Sequence, residues 1–387
     1  MPEEIPAAPV SFPSLSHPLT RHLVNIGVSL LLSILVAWLG TKGIVIQPPA
    51  VEEAPTPKTQ SNKESIPSFG WVHDQDAIAE SHGRTAPLLF GTTPAGRVER
   101  GDTIPDTFLW QAVRQAANRS DPWYPNVDQR EVGCCVGCGW KHAADVCQAV
   151  QVVTKGGEFK PLSAEVIYGL SRVEVGRGRI RGDGSIGAWA REAVRDFGVA
   201  PMQHYPSDNL SRFDPLRARR FGQTGVPSEI ELAAKEHPVK ATALVSSWSD
   251  VQRSIAQGYP VAVCSNQGFA DPDSSPGHRD AEGFCKPRGT WPHCMAIIGV
   301  RGGSRPGAFV LNSWGDEAHL GPTWPADAPK AGFWADARII DAMVAQGDSY
   351  SLADLAGFPK RELDWFTQRA PLPTHDVATI HPVRRSK

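Results

Sequence analysis

The stretch EVGCCVGCGW, Glu131–Trp140, places Cys134, Cys135 and Cys138 within five positions of each other. Three interpretations compete for such a group: a metal site, a redox pair, or one nucleophilic thiol whose neighbours only pack. Each interpretation predicts different partners elsewhere in the chain. The rest of the sequence therefore decides between the three interpretations, and the chosen interpretation in turn indicates the fold.

A metal or redox interpretation finds little support. Cys135 and Cys138 have the spacing of a redox pair, and Cys147 or His142 could extend the group to a zinc site. A zinc site usually needs a second ligand pair, and a thioredoxin-like motif should follow a β-strand, which is not evident before Gly133. The remaining cysteines, Cys264, Cys285 and Cys294, are scattered. We expect no metal and no cofactor, and we interpret Cys138, Cys147 and Cys294 as buried packing residues.

The pattern around the cysteines predicts an α+β fold. Apolar residues recur at helical spacing from Trp140 to Val150, so a buried helix should follow Cys135. Helical patterns also occupy residues 163–173, 185–197 and 250–257. The second half changes to short β-rich runs, YPVAVCS, HCMAIIGV and GAFVLNS, which predict an antiparallel sheet or barrel. Helices followed by strands predict two lobes with a cleft between them.

The cleft has a candidate nucleophile and base. Cys135 would lie at the N-terminus of the buried helix, where unpaired N–H groups and the helix dipole favour thiolate. A thiol nucleophile needs a base and the base needs an orienting group. His293 begins one strand-like run and Asn312 ends the next, so the two could be neighbours across an antiparallel pair. An uncharged Asn partner suits a resting thiolate–imidazolium pair.

These residues resemble the papain-like cysteine peptidases. VDQREVGCCVGCGWKHA is similar to the active-site segment of the divergent bacterial members, with Gln129 six residues before Cys135. LNSWG resembles the asparagine segment of the family, and GDGSIGAWAREAVRDFGVAP resembles the segment that lines its substrate cleft. The resemblance covers about residues 122–359. It departs from the family pattern at Val132, where a disulfide cysteine is common, and no propeptide motif is evident.

The resemblance implies a role for each matching residue. Cys135 would be the nucleophile, His293 the general acid/base and Asn312 the group that orients the imidazole. Gln129 and the Cys135 backbone N–H would form the oxyanion hole. Three further residues would contribute to substrate binding: Gly182, Gly184 and Trp314, the last of which would shield the His–Asn pair. Asp183 is interpreted as a turn residue.

The N-terminal region predicts a membrane anchor. After an N-terminal segment, residues 1–22, residues 23–41 contain no charge and are close to the roughly 20 residues that cross a bilayer as a helix. Residues 42–67 are rich in Pro, Glu, Ser and Lys and predict a disordered linker. A pre-domain segment, 68–121, with a helix at 107–118, precedes the catalytic domain, 122–359, and a tail follows, 360–387. We expect a single-pass membrane protein whose orientation is open, with an extracytoplasmic catalytic domain preferred.

The charge balance limits the classes of partner that the protein can be expected to bind. The formal net charge is −2 and no basic patch is evident, so a nucleic-acid partner is not expected. The leading hypothesis is a membrane-anchored cysteine peptidase that acts on a peptide or protein through an acyl-enzyme. Two alternatives stay open: an acyl transferase or transpeptidase with the same triad, and a papain-like binding module without catalysis.

Overall fold

The computed structural model describes residues 69–97, 104–118, 126–269 and 278–356. All of these residues lie in one compact unit, Glu64–Lys387. The predicted membrane helix, the linker and the C-terminal tail lie outside the described residues. Within the described ranges, no helix is both long enough and apolar enough to cross a membrane.

The predicted α+β class is confirmed, because most helices come first in the chain and most strands later. A short π-helical turn, Ser171–Val175, continues the fourth helix. The described helices are α1 (Gln75–Arg84), α2 (Trp110–Ala116), α3 (Cys135–Lys155), α4 (Ala164–Leu170), α5 (Gly187–Asp196), α6 (Pro215–Thr224), α7 (Ser228–Ala234), α8 (Trp248–Ala256) and α9 (Ala337–Val344).

One largely antiparallel sheet forms the other half of the fold. Its strand order is β1-β3-β8-β4-β5-β6-β7, with β2 paired to β5, and only the β1–β3 pairing is parallel. The strands are β1 (Leu88–Leu89), β2 (Thr107–Phe108), β3 (Val239–Leu244), β4 (Val261–Gln267), β5 (Thr290–Arg301), β6 (Gly307–Leu311), β7 (Gly332–Asp336) and β8 (Tyr350–Leu355). The long central strand β5 faces the helical half and positions the site.

Helix α3 is the centre of the molecule, packed between α4 and β5. Two glycines of its first turns allow this close packing. A Cβ atom on Gly137 would lie 2.6 Å from the carbonyl oxygen of Ala164 in α4, and one on Gly139 would lie 2.9 Å from Sγ of Cys294 in β5. The cysteine-rich stretch therefore packs helix against helix on one side and helix against sheet on the other.

A buried ion pair lies on the same helix. Nζ of Lys141 is 2.7 Å from a carboxylate oxygen of Asp145 one turn later, and both side chains are almost completely buried. Asp145 also accepts a hydrogen bond from the backbone N–H of Leu162, which leads into α4. Removing either partner would leave a buried charge without compensation, so the pair makes the helix intolerant of change here.

The residues assigned to a pre-domain segment join the same sheet. Strand β2 pairs with β5, and the backbone N–H of Leu109 donates to the carbonyl oxygen of Ile298. The helix expected over 107–118 is shorter, because residues 107–108 are used for strand pairing and α2 begins only at Trp110. Strand β1 likewise extends the edge of the sheet beside β3.

The packing at Gly139 predicts the effect of one added methyl group. We expect Gly139→Ala to lower the free energy of unfolding by about 1–3 kcal/mol, because Cβ would meet Cys294 and the backbone of β5. Gly83→Ala, in helix α1 with no atom within 4 Å of its Cβ, is the matched control and should stabilise by up to about 1 kcal/mol. Denaturant unfolding measures both, and equal effects would contradict the packing argument.

Candidate active site

Cys135 opens helix α3 and is completely buried. The backbone N–H groups of Cys294 and Gly70 lie close enough to its sulfur to favour the thiolate. Cys294 directly follows His293 on β5, so the thiol lies beside the strand that carries the imidazole. The structure thus places Cys135 and His293 on two elements that pack against each other, α3 and β5.

His293 and Asn312 lie within hydrogen-bonding distance. Nε2 of His293 is 2.8 Å from Oδ1 of Asn312, so Nε2–H donates to the amide oxygen. With Nε2 fixed in this way, Nδ1 is the nitrogen that can accept a proton. Nδ1 is buried and has no hydrogen-bond partner among the described residues.

The asparagine is itself held by a residue that the sequence did not indicate. Nδ2 of Asn312 lies 3.1 Å from Nε2 of His319, and the backbone N–H of Ser313 donates to the Asn312 Oδ1. These contacts fix the amide so that its oxygen faces His293. His319 follows Asn312 by seven residues in a loop, and no pattern in the sequence connects the two.

Gln129 is buried next to this group and is rigidly held. Its Nε2 donates to the carbonyl oxygen of Val132 at 3.0 Å, and its Oε1 accepts from the Ser313 hydroxyl at 2.6 Å. The backbone N–H of Gln129 also donates to the carbonyl oxygen of Ser313. Ser313, whose backbone N–H holds the amide of Asn312, therefore also fixes Gln129, the candidate residue of the oxyanion hole.

Trp314 covers the imidazole. Its ring centroid is 4.7 Å from that of His293, with an angle of 32° between the rings. Phe69 and Trp291 pack around the same rings, at centroid distances of 6.1 Å from His293 and 4.8 Å from Trp314 respectively. Trp314 thus shields the His–Asn hydrogen bond from water, which strengthens that bond.

The space around the Cα atom differs between the two predicted cleft glycines, Gly182 and Gly184. A Cβ atom on Gly184 would lie 3.0 Å from the Val72 side chain, whereas one on Gly182 would meet nothing within 4 Å. Arg172 holds this loop by donating to the carbonyl oxygens of both glycines. Asp183 accepts from the backbone N–H of Gly133 and pairs with an arginine of α6, in agreement with a structural role.

Residues 69–72 lie across the site as a cover, which we call the cleft segment. The backbone N–H groups of Gly70 and Trp71 both donate to the carbonyl oxygen of Pro292, the residue before His293. On the other side, the N–H of Ser185 donates to the Gly70 carbonyl oxygen and the N–H of Val72 to that of Ser185. No propeptide motif is evident in the sequence here, yet residues of the same chain lie between the strand of His293 and the loop that follows the predicted cleft glycines.

Glycine is required for the cleft segment to come this close. A Cβ atom on Gly70 would lie 2.0 Å from the carbonyl oxygen of Gly133, and one on Gly133 would lie 2.6 Å from the carbonyl oxygen of Phe69. Two backbones therefore touch directly beside Cys135. A substrate could reach the sulfur only after the cleft segment has moved away.

Burial under the cleft segment changes the charge state of the site. Burial raises the pKa of the Cys135 thiol well above its usual range, and the hydrogen bonds from Cys294 and Gly70 only partly oppose this. Burial also lowers the pKa of His293 to about 4, against the effect of the Asn312 hydrogen bond. While the cleft segment is in place, burial therefore opposes both members of the expected thiolate–imidazolium pair.

The other cysteines pack as predicted rather than forming a cluster. Sγ of Cys134 and Sγ of Cys138 are 3.8 Å apart in a small apolar group under α4, and Cys264 lies directly opposite Cys294 in the β4–β5 pair. In the part of the chain that the structure describes, no group of three or more His, Cys, Asp or Glu residues is arranged to hold a metal ion.

Comparisons with known proteins show that the fold is similar to that of cysteine proteases. No family model matches the sequence and no curated protein matches it. Among solved structures, xylellain, a cysteine protease from Xylella fastidiosa, is 16% identical over 75% of this chain and 95% of its own, with a TM-score of 0.45. Procathepsin L2 from the larval midgut of Tenebrio molitor is 15% identical over 76% of this chain and 81% of its own, with a TM-score of 0.48.

A third similar structure is procathepsin B S9 from Trypanosoma congolense. It is 15% identical over 76% of this chain and 87% of its own, with a TM-score of 0.46. These proteins are papain-like cysteine proteases, the family that the sequence resembles. The roles of the individual residues rest on the contacts described above.

The cleft segment predicts how Cys135 reacts. We expect Trp71→Ala to loosen the segment, because the buried indole anchors it, and to let water reach the thiol. The pKa of Cys135 should then fall toward its usual range, so that its alkylation by iodoacetamide at pH 7 is faster by about tenfold per unit of pKa. In the wild type, alkylation should rise only at alkaline pH.

The control is His73→Ala, which removes an exposed ring stacked on Trp71 from outside. This variant should react as the wild type does. Alkylation is measured by peptide mass mapping, with Cys135→Ala to identify reaction at the other cysteines. Equal rates for Cys135 in all proteins would mean that the cleft segment does not limit its reactivity.

Proposed function

We propose that this chain is a membrane-anchored cysteine peptidase whose cleft segment keeps it latent. The observation that carries the proposal is the 2.8 Å hydrogen bond from His293 to Asn312, beside a thiol at the N-terminus of α3. This arrangement supports acyl transfer from a peptide to a thiol, because it supplies a nucleophile, a base of fixed tautomer and a group that orients the base.

The proposed reaction begins when the cleft segment is displaced. Nδ1 of His293 takes the proton of the Cys135 thiol, and the sulfur attacks the peptide carbonyl carbon. The resulting oxyanion would be stabilised by the Gln129 amide and the Cys135 backbone N–H. His293 then gives its proton to the leaving amine, the C–N bond breaks, and a thioester remains. Water, deprotonated by His293, hydrolyses the thioester and releases the acid and the thiol.

Displacement and activation are coupled in this proposal. While the cleft segment is in place, burial disfavours both the thiolate and the imidazolium. Once water or substrate replaces the segment, the N–H groups and dipole at the start of α3 favour the thiolate. The resting protein therefore has a weakly nucleophilic thiol, and its reactivity follows the opening of the cleft.

The membrane part of the proposal is supported by the sequence alone. Residues 23–41 form an uncharged run long enough for one transmembrane helix, and residues 42–67 have the composition of a flexible tether. The catalytic domain would then lie close to the bilayer, on the extracytoplasmic side by preference. Such a tether brings membrane proteins within reach as substrates.

A thiol-specific probe tests the enzymatic proposal. We expect an irreversible epoxide inhibitor of thiol peptidases to label Cys135 in the full chain, more rapidly in Trp71→Ala, and not in His293→Ala. Cys138→Ala, which changes a packing cysteine on the same helix, should still be labelled. The readout is peptide mass mapping combined with hydrolysis of a denatured protein substrate. Labelling of Cys134 or Cys138 instead of Cys135 would contradict the triad assignment.

The same experiment separates the alternatives. An added amine acceptor that appears in the products would indicate acyl transfer rather than hydrolysis. A folded protein whose Cys135 stays unlabelled even in Trp71→Ala would indicate a binding module.

A fractionation experiment tests the anchor. We expect the full chain to sediment with membranes and to resist extraction by carbonate, because a helix of about 20 apolar residues inserts stably. A chain that lacks residues 1–67 should stay in the supernatant. A control that carries Leu→Ala changes only outside residues 23–41 should behave as the full chain does. Full-length protein in the supernatant would rule out the anchor.

A further inference from the structure

A buried arginine fastens the loop that begins with the asparagine of the His–Asn pair. Arg279 lies between strands β4 and β5 and is only 8% exposed. A guanidinium has five N–H groups, and all five of Arg279 donate to backbone carbonyl oxygens. Burying a cation is unfavourable unless its hydrogen bonds are made. The complete set of bonds indicates that Arg279 holds this loop in one fixed arrangement.

The five hydrogen bonds join the middle of the loop to its end, where β7 begins. Nη2 of Arg279 donates to the carbonyl oxygens of His319 at 2.7 Å and Gly321 at 2.9 Å, and Nε donates to that of Gly321 at 3.1 Å. Nη1 donates to the carbonyl oxygens of Lys330 at 2.6 Å and Gly332 at 2.8 Å. Arg279 therefore fixes the backbone of His319 relative to β7.

The ring of His319 accepts a hydrogen bond from Asn312. The backbone N–H of Ser313 donates to Oδ1 of Asn312 at 2.7 Å, which identifies that atom as the oxygen. The amide nitrogen Nδ2 therefore faces His319, at 3.1 Å from its Nε2. Because an amide nitrogen only donates, Nε2 of His319 must be the acceptor and carry no proton. The contact thus requires a neutral His319 imidazole with its proton on Nδ1.

Both ends of the Asn312 amide are held in this way. Oδ1 accepts from Nε2–H of His293 at 2.8 Å, while Nδ2 donates to His319. The last torsion of an asparagine side chain is broad, so staggering alone does not fix it. The Ser313 N–H and the His319 ring are the two restraints that keep the oxygen toward His293. A rotated amide would turn its nitrogen toward the ring, and two donors would then face each other.

The His319 ring is itself held by aromatic packing. Its centroid lies 4.7 Å from that of Phe333 on β7, and the Trp314 ring is stacked with it at 6.3 Å. Phe333 directly follows Gly332, whose carbonyl oxygen is bonded to Arg279. One guanidinium therefore fixes both the backbone of His319 and the strand on which its ring packs.

We propose that His319 and Arg279 are positioning residues of the active site: Arg279 fixes the loop backbone, and His319 holds the Asn312 amide in the orientation that His293 needs. This inference rests on the proposed peptidase function and adds two residues to its machinery. Both act through Asn312 and not on the reacting atoms. Loss of either should therefore lower kcat, because His293 is less often correctly oriented, and should leave KM almost unchanged.

Two variants of His319 test the acceptor. His319→Phe keeps a ring that can pack on Phe333 but has no atom that accepts from Asn312, whereas His319→Gln offers an oxygen at about the distance of Nε2. We expect kcat to fall about tenfold or more in His319→Phe, with KM within about twofold. In His319→Gln, kcat should return to within about threefold of its starting value.

The assay uses the full chain with Trp71→Ala as the parent protein, so that the cleft segment does not limit turnover. The substrate is a peptide that spans one cleavage site found in a denatured protein. Each kcat is divided by the amount of Cys135 that the epoxide inhibitor labels, which corrects for unfolded protein.

A double-mutant cycle tests whether Arg279 acts through His319. Arg279→Lys keeps the positive charge but replaces the planar group of five N–H donors with three on one nitrogen. We expect this change to lower kcat about fivefold in the parent protein. When His319→Phe is already present, it should lower kcat less than twofold, because the contact with Asn312 is already lost.

The control is Arg305→Lys, which changes a partly exposed arginine that pairs with Asp280, the residue next to Arg279. This variant should keep kcat within about twofold of the parent protein. The two His319 variants need no change at Arg279, so the test stays valid if Arg279→Lys does not fold.

The outcomes separate the positioning roles from the proposed function. Unchanged kcat in His319→Phe, or equal loss in His319→Phe and His319→Gln, would overturn the role of His319 and leave the peptidase intact. Losses that multiply in the double variant would overturn the path from Arg279 through His319. No cleavage by the parent protein together with no epoxide labelling of Cys135 would overturn the proposed function, and the positioning roles with it.

Discussion

The close contact of helix α3 with strand β5 is the constraint on which the rest of the structure depends. At Gly139 a single added carbon would meet both the side chain and the backbone of β5, so helix and strand touch at the closest distance that packing permits. Because α3 begins with Cys135 and β5 carries His293, the same contact joins the N-terminal turns of the helix to the strand that carries the imidazole. The placement of the two elements is thus a consequence of core packing.

The sequence was sufficient for those parts of the site that depend on local pattern. Cys135 precedes a helix of buried residues, and His293 and Asn312 lie on neighbouring strand-like runs, so the pattern indicated that His293 and Asn312 could be neighbours, while the family resemblance joined Cys135 and Gln129 to them. His319 could not be found in this way, because it lies in a loop whose path depends on tertiary packing. The opposing influences on the thiol could be predicted only in part. Its position at the helix N-terminus favours a thiolate, whereas burial raises the pKa of the Cys135 thiol, and burial by residues 69–72 is not visible in the sequence.

The segment before the predicted catalytic domain is the largest difference between prediction and structure. Residues 69–97 have a mixed composition and carry no recognisable motif, which is why no chemistry was assigned to them. In the structure they supply the cleft segment, helix α1 and strand β1. The cleft segment is attached largely through backbone hydrogen bonds to Pro292 and Ser185, whereas helix α1 is attached through side chains such as Arg84, which pairs with Glu192. Backbone bonds depend weakly on side-chain identity, so composition and periodicity carry little information about the cleft segment.

Because the cleft segment belongs to the same chain, it competes with substrates as a tethered ligand. For a short connection the effective local concentration of such a ligand is in the millimolar range, and it does not change when the protein is diluted. A free peptide must bind strongly enough to overcome that concentration, whereas a second protein that grips the residues on either side of the segment could remove it at much lower levels. The short connection between the cleft segment and helix α1, residues 72 to 75, thus sets the minimum binding free energy of an incoming polypeptide. A polypeptide that binds more weakly does not expose the thiol.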